Sequence, residues 1–113
     1  MKKFVLLFTG MLMIVSVFAQ TNFQELTLEK ALEKAKNENK KVFVDCYTSW
    51  CGPCKMMAEK VLPLKEVGEY MNERFVCIKV DMEKGEGPDL ARKYKVTAYP
   101  TFLVLQADGS LMQ

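Results

Sequence analysis

Residues 41–55 read Lys41-Val42-Phe43-Val44-Asp45-Cys46-Tyr47-Thr48-Ser49-Trp50-Cys51-Gly52-Pro53-Cys54-Lys55, and this stretch decides the fold. Its first six residues, KVFVDC, are β-branched or aromatic and almost continuously apolar. That pattern predicts a short strand covered on both faces, as in a parallel or mixed sheet. Residues 47–50 read as a loop. Gly52-Pro53 can then open a helix, because proline fits a first helical turn, and the helix is expected to run to about residue 62, where Pro63 interrupts it.

The two cysteines of Cys51-Gly52-Pro53-Cys54 therefore sit where a strand passes into a helix. At the helix start Cys51 meets unpaired backbone N–H groups and the positive end of the helix dipole, both of which favour thiolate over thiol. Each unit of lowered pKa represents ~1.36 kcal/mol of preference for the anion. Cys51 is the predicted nucleophile. Cys54, one turn inward, is expected to be the more buried and to stay protonated until a mixed disulfide has formed. The alternative is a purely structural bridge, but loop entropy gives a four-residue ring only ~1.9 kcal/mol, against ~4.7 for a hundred-residue loop. Redox exchange is the better use of this spacing.

Outward from the motif, residues 27–39 carry Leu28, Ala31, Leu32 and Ala35 at helical spacing, with Thr27 as the expected N-cap. After Pro63, residues 65–73 predict a second helical segment with Val67, Tyr70 and Met71 on one face. Residues 75–81 (FVCIKVD) form the next expected strand, followed by a glycine-rich loop over 83–88, a short helix over 89–94 and a third strand over 101–105 (TFLVL). Ala107-Asp108-Gly109 signals a hairpin into a fourth strand. Strands that alternate with helices and finish in a hairpin predict the α/β class with a mixed central sheet flanked by helices.

At 113 residues, half of them apolar and 27% charged, the chain has room for one globular domain and is too rich in core residues for disorder. The net charge of +2 comes from Lys2 and Lys3; beyond residue 19 the charges balance. No basic patch remains to recruit a nucleic acid or an anionic membrane. Histidine is absent, which excludes Ser-His-Asp and Cys-His catalysis and every imidazole metal site. Residues 1–19 combine a positive start, an apolar run from Phe4 to Phe18 and a Val17-Phe18-Ala19 end, the pattern of a signal peptide cleaved after Ala19. The run is short for an uncleaved anchor, which needs ~20 apolar residues. The expected domain is residues 20–113, periplasmic or secreted, touching a membrane only through the uncleaved leader.

Trp50 to Lys55 (WCGPCK) resembles the active-site motif of the thioredoxin family, and the likeness spans residues 42–109. Asp45 lies six positions before Cys51, where thioredoxins carry a buried aspartate. Tyr99-Pro100-Thr101 resembles the family's cis-proline segment, and Asp108-Gly109 falls at its last hairpin. Within the family, the helix before the first core strand and the leader look most like secreted thioredoxin-like proteins related to the C-terminal periplasmic domain of DsbD-type reductases. The resemblance implies a thioredoxin fold, here expected without the final strand and C-terminal helix. It also implies Asp45 as acceptor of the Cys54 proton, and Trp50, Gly52, Pro53, Tyr99 and a cis Pro100 as the surface that receives substrate. Thioredoxin's lysine near the buried aspartate aligns with Cys77, leaving Lys79 two residues on. Asp45 is therefore expected without that charge partner and with a raised pKa.

Other readings of the four cysteines remain open at this level. A Cys46–Cys77 bridge would close a ring worth ~3.7 kcal/mol, but alternation places Cys46 on the face opposite Asp45 and Cys77, so two buried free thiols are the expectation. Cys46, Cys51, Cys54 and Cys77 also reproduce the spacing of plant-type [2Fe–2S] ferredoxins, although Cys46 closes a hydrophobic strand instead of lying in a ligand loop. The expected activity is thiol–disulfide exchange in the direction that reduces disulfides in exported proteins, with electrons from an upstream thiol protein and no metal or organic cofactor. A monomer is the expected state. The competing function is a thioredoxin-like docking module whose cysteines stay oxidised.

Overall fold

The structure, a computed structural model, describes residues 20–112, so the predicted leader lies outside the described residues. Helix α1 (Leu28–Glu38) starts where Thr27 Oγ1 accepts the Lys30 backbone N–H at 3.2 Å, and stops at Asn39, which takes the left-handed conformation at φ 55°. Its buried stripe is Leu28, Ala31 and Ala35. Strand β1 (Lys41–Tyr47) follows, one residue longer than the sequence indicates and buried at five consecutive positions. It is the middle strand of a three-stranded sheet among the described residues, which explains its unbroken apolarity.

Helix α2 (Gly52–Lys60) ends two residues before its expected limit, and α3 (Lys65–Arg74) matches the second segment closely. Strand β2 (Phe75–Asp81) runs parallel to β1, while β3 (Thr101–Leu105) runs antiparallel to it. Between them α4 (Gly87–Tyr94) takes in Gly87 and Pro88, which the sequence reading leaves in the loop. Pro88 supplies the first-turn proline, and a Cβ on Gly87 would lie 2.0 Å from the Asp81 carbonyl oxygen, so the loop closes only around a glycine. The expected hairpin turns at Gly109 (φ 89°) and brings Leu111 against Leu105 as an antiparallel bridge.

Two apolar layers result. On one face α1 and α4 cover Val42, Val44, Cys46, Val76, Ile78, Leu103 and Leu105; on the other, Phe43, Met71 and Cys77 pack with Phe23, Val67, Phe75, Phe102 and Val104. The expected Tyr70 contact is not made: its ring is 55% exposed and carries the Arg74 guanidinium 3.9 Å from its centroid, while Gly68 and Met71 face inward. The reason is helical phase, since 67, 68 and 71 form the tighter stripe. Residues 20–26, given no role from sequence, meet β2 through Phe23, which bridges Cys77, and through the Gln24 N–H, bonded to the Cys77 carbonyl at 2.8 Å. No helix among the described residues is long and apolar enough to cross a membrane.

Candidate active site

The core strand β1 delivers the chain through a short turn directly into α2, and the first residue of that junction to matter is Cys51. It is the N-cap of α2, and its Sγ accepts the Cys54 backbone N–H at 3.1 Å. A sulfur in that position is aimed at by the helix's unpaired donors, which stabilise negative charge on it. Cys51 and Cys54 are joined as a disulfide with their Cα atoms 5.3 Å apart. Both are buried, Cys51 at 3% exposure and Cys54 at 7%, so the expected order of burial is not found. Capping folds the Cys51 side chain back over the helix end. Depth therefore does not distinguish the two sulfurs, but their surroundings do.

Those surroundings differ sharply. Cys54 lines a cavity of about 140 Å³ together with Asp45, Tyr47, Thr48, Lys55 and Lys79. Asp45 is 3% exposed, and its Oδ1 makes no hydrogen bond to protein. Burial pushes its carboxyl up from 3.8 to about 6, with Lys79 acting in the opposite sense. The sequence reading leaves Asp45 without a lysine, and the β1–β2 register corrects this: Asp45 faces Lys79, while Cys77 faces Phe43. Parallel pairing sets that offset, which alignment of residue types alone does not show. The Lys79 ammonium lies between the Phe23 and Tyr47 rings, 5.4 and 5.1 Å from their centroids.

Around the disulfide, Gly52 and Pro53 are exposed at the start of α2 and Trp50 is 65% exposed. Its indole is nevertheless fixed, because Nε1–H donates to Glu83 Oε1 at 2.8 Å and the ring meets Tyr99 edge-on at 6.0 Å. That contact brings the Tyr99-Pro100 segment against the motif, and the Tyr99–Pro100 peptide bond is cis. Met56 is 54% exposed on the same helix, while Met57 is half-buried. Sequence reasoning missed Thr48, Glu83 and Lys79, which the turn after β1, the loop after β2 and the β1–β2 register respectively bring to the site. The remaining thiols, Cys46 and Cys77, are free, buried in different apolar layers, and pushed up to about 12 chiefly by that burial. With Cys46 and Cys77 on opposite faces, the four sulfurs do not converge as an iron–sulfur or zinc site requires.

A central strand that runs into a helix capped by its own disulfide, with a cis-proline loop alongside, defines a protein of the thioredoxin-fold class. The sequence profile of the family described as Thioredoxin matches residues 15–113, and the chain belongs to the thioredoxin family. Among solved structures it is similar to a proposed disulphide-isomerase from Bacteroides thetaiotaomicron, at 47% identity and a TM-score of 0.74, covering 81% of this chain and 76% of that one. It is similar also to the oxidised C-terminal domain of DsbD from Neisseria meningitidis, at 30% identity and a TM-score of 0.62, covering 82% and 83% of the two chains. The likeness to DsbD-type domains read from the sequence is thus borne out. Thioredoxin Y2 of Arabidopsis thaliana, a chloroplastic protein, is 38% identical over 99 residues; the match covers 80% of this chain and 56% of that protein.

Proposed function

We propose that the protein is a thiol–disulfide oxidoreductase that reduces disulfides in exported proteins. The observation that carries this reading is the Cys51–Cys54 disulfide closed at the N-terminus of α2 beside a buried carboxyl. In the reduced protein the Cys51 thiolate, favoured by the helix donors, attacks a substrate disulfide and forms a mixed disulfide. Cys54 gives its proton toward Asp45 and attacks Cys51 Sγ. The Cys51–substrate bond breaks and the second substrate thiolate leaves. Two electrons pass from the dithiol to the substrate, and an upstream thiol protein restores the dithiol.

Trp50, Gly52, Pro53, Tyr99 and Pro100 form the surface against which the substrate segment lies. An extended segment pairs with the backbone beside Pro100, as peptides add to an open backbone edge. The leader supports export to a periplasmic or extracellular site, and the protein acts there as a monomer. The relatives' names, a thioredoxin and a disulphide-isomerase among them, support exchange chemistry. The test is reduction of insulin disulfides with dithiothreitol as electron source. Wild type accelerates precipitation of the insulin B chain and Cys51→Ser does not; an active Cys51→Ser would overturn the mechanism.

A further inference from the structure

A third buried polar group stands beside Asp45 and Cys54, and the exchange mechanism above gives it no task. Thr48 lies in the turn between β1 and α2, is 2% exposed, and its Oγ1 makes no hydrogen bond to protein. Asp45 Oδ1 is in the same condition, and both residues line the cavity of about 140 Å³ that Cys54 also lines. A buried hydroxyl and a buried carboxylate oxygen are each costly to leave without partners. A valine would fill the same space as Thr48 at no such cost. The cavity exceeds the ~30 Å³ share of one water, and a buried water needs two to four polar partners, which Thr48, Asp45 and Lys79 can supply. Ala58 and Lys79 also line a neighbouring groove of about 690 Å³, so the cavity adjoins a route to solvent.

We propose that Thr48 is a positioning residue for the second half of the exchange: its hydroxyl and Asp45 Oδ1 hold a water molecule that carries the proton of Cys54 to the carboxylate. This rests on the exchange reaction proposed above. In the mixed disulfide, Cys54 Sγ–H gives its proton to the water as the water passes one of its own to Asp45 Oδ1. Cys54 Sγ then bonds to Cys51 Sγ, the Cys51–substrate bond breaks, and its electron pair leaves on the substrate sulfur. Thr48 never touches the reacting sulfurs. The ionisable groups facing Asp45 across the cavity are Lys79 from β2, Cys54 and Lys55 from α2, and Tyr47 on its own strand; β3 places uncharged Phe102 opposite it.

The test uses an aromatic disulfide whose released thiolate is coloured. The first release reports attack by Cys51 and the second reports resolution by Cys54. Thr48→Val is expected to leave the first phase at its wild-type rate, slow the second about tenfold, the scale of one hydrogen bond to a charged group, and move the pH midpoint of the second upward. Thr48→Ser is expected to restore both. A wild-type second phase in Thr48→Val, or a Thr48→Ser as slow as Thr48→Val, overturns the proposal. Loss of the first phase in the wild type would instead remove the exchange reaction itself. A measurement without substitution stands beside these: solvent Overhauser contacts to the Thr48 methyl in the wild type are expected, and their absence overturns the water site.

Discussion

Replacing Asp45 by asparagine removes one buried carboxyl and leaves its shape almost unchanged. Burial raises this group from 3.8 to about 6 in the folded protein, so folding favours its protonated form. Its contribution to stability is fully present below the unfolded-state pKa, declines as pH rises, and is lost once the folded pKa of about 6 is passed. The two values differ by about two units, and at ~1.36 kcal/mol per unit wild type loses about 3 kcal/mol to this group between acid and mildly alkaline solution. Asp45→Asn is spared that loss. The assay is denaturant unfolding of the oxidised proteins, in which Cys51 and Cys54 do not titrate, at pH values below 3.8 and well above 6. The variant is expected to gain about 3 kcal/mol on wild type across that range, while every other titrating group cancels in the difference. A variant that tracks wild type at both pH values would refute the claim that Asp45 is buried at a cost in charge.

The same carboxyl is held down in part by Lys79, so Lys79→Met should raise its pKa further above about 6, read from the pH dependence of its infrared carboxyl stretch. Gly87→Ala forces a Cβ against the Asp81 carbonyl and Met82 backbone; a loss of ~3 kcal/mol and a fall in Tm on the order of 10 °C are expected in thermal unfolding. Glu83→Ala frees the Trp50 indole, which should red-shift its fluorescence and raise KM for insulin about threefold while leaving turnover of a small disulfide unchanged.

Much of this protein is written in short local patterns. Thr27 caps α1, five buried positions mark β1 as central, and Pro53 opens α2, because each of these depends on neighbours a few residues away. The disulfide and the cis Tyr99–Pro100 bond are likewise where the motifs place them. What the sequence hides depends on register. Asp45 meets Lys79 and not Cys77 because of how two parallel strands slide, and nothing within FVCIKVD states that offset. Tyr70 is apolar enough to read as core, yet helical phase turns it outward. Thr48 and Glu83 carry no motif at all, and only the turn after β1 and the loop after β2 give them a place beside Cys54 and Trp50.

The proposed exchange depends most on the different chemistry of two sulfurs three residues apart. Its most direct test is the rate of alkylation of each thiol in the reduced protein as a function of pH, resolved by mass spectrometry of the labelled peptide. Cys51 is expected to react first, with a midpoint at about pH 7 or below, the range of thiols at helix N-termini, while Cys54 stays unlabelled until far higher pH. Equal labelling of both cysteines with a shared midpoint at ~8.5, the value of a free thiol, would contradict it.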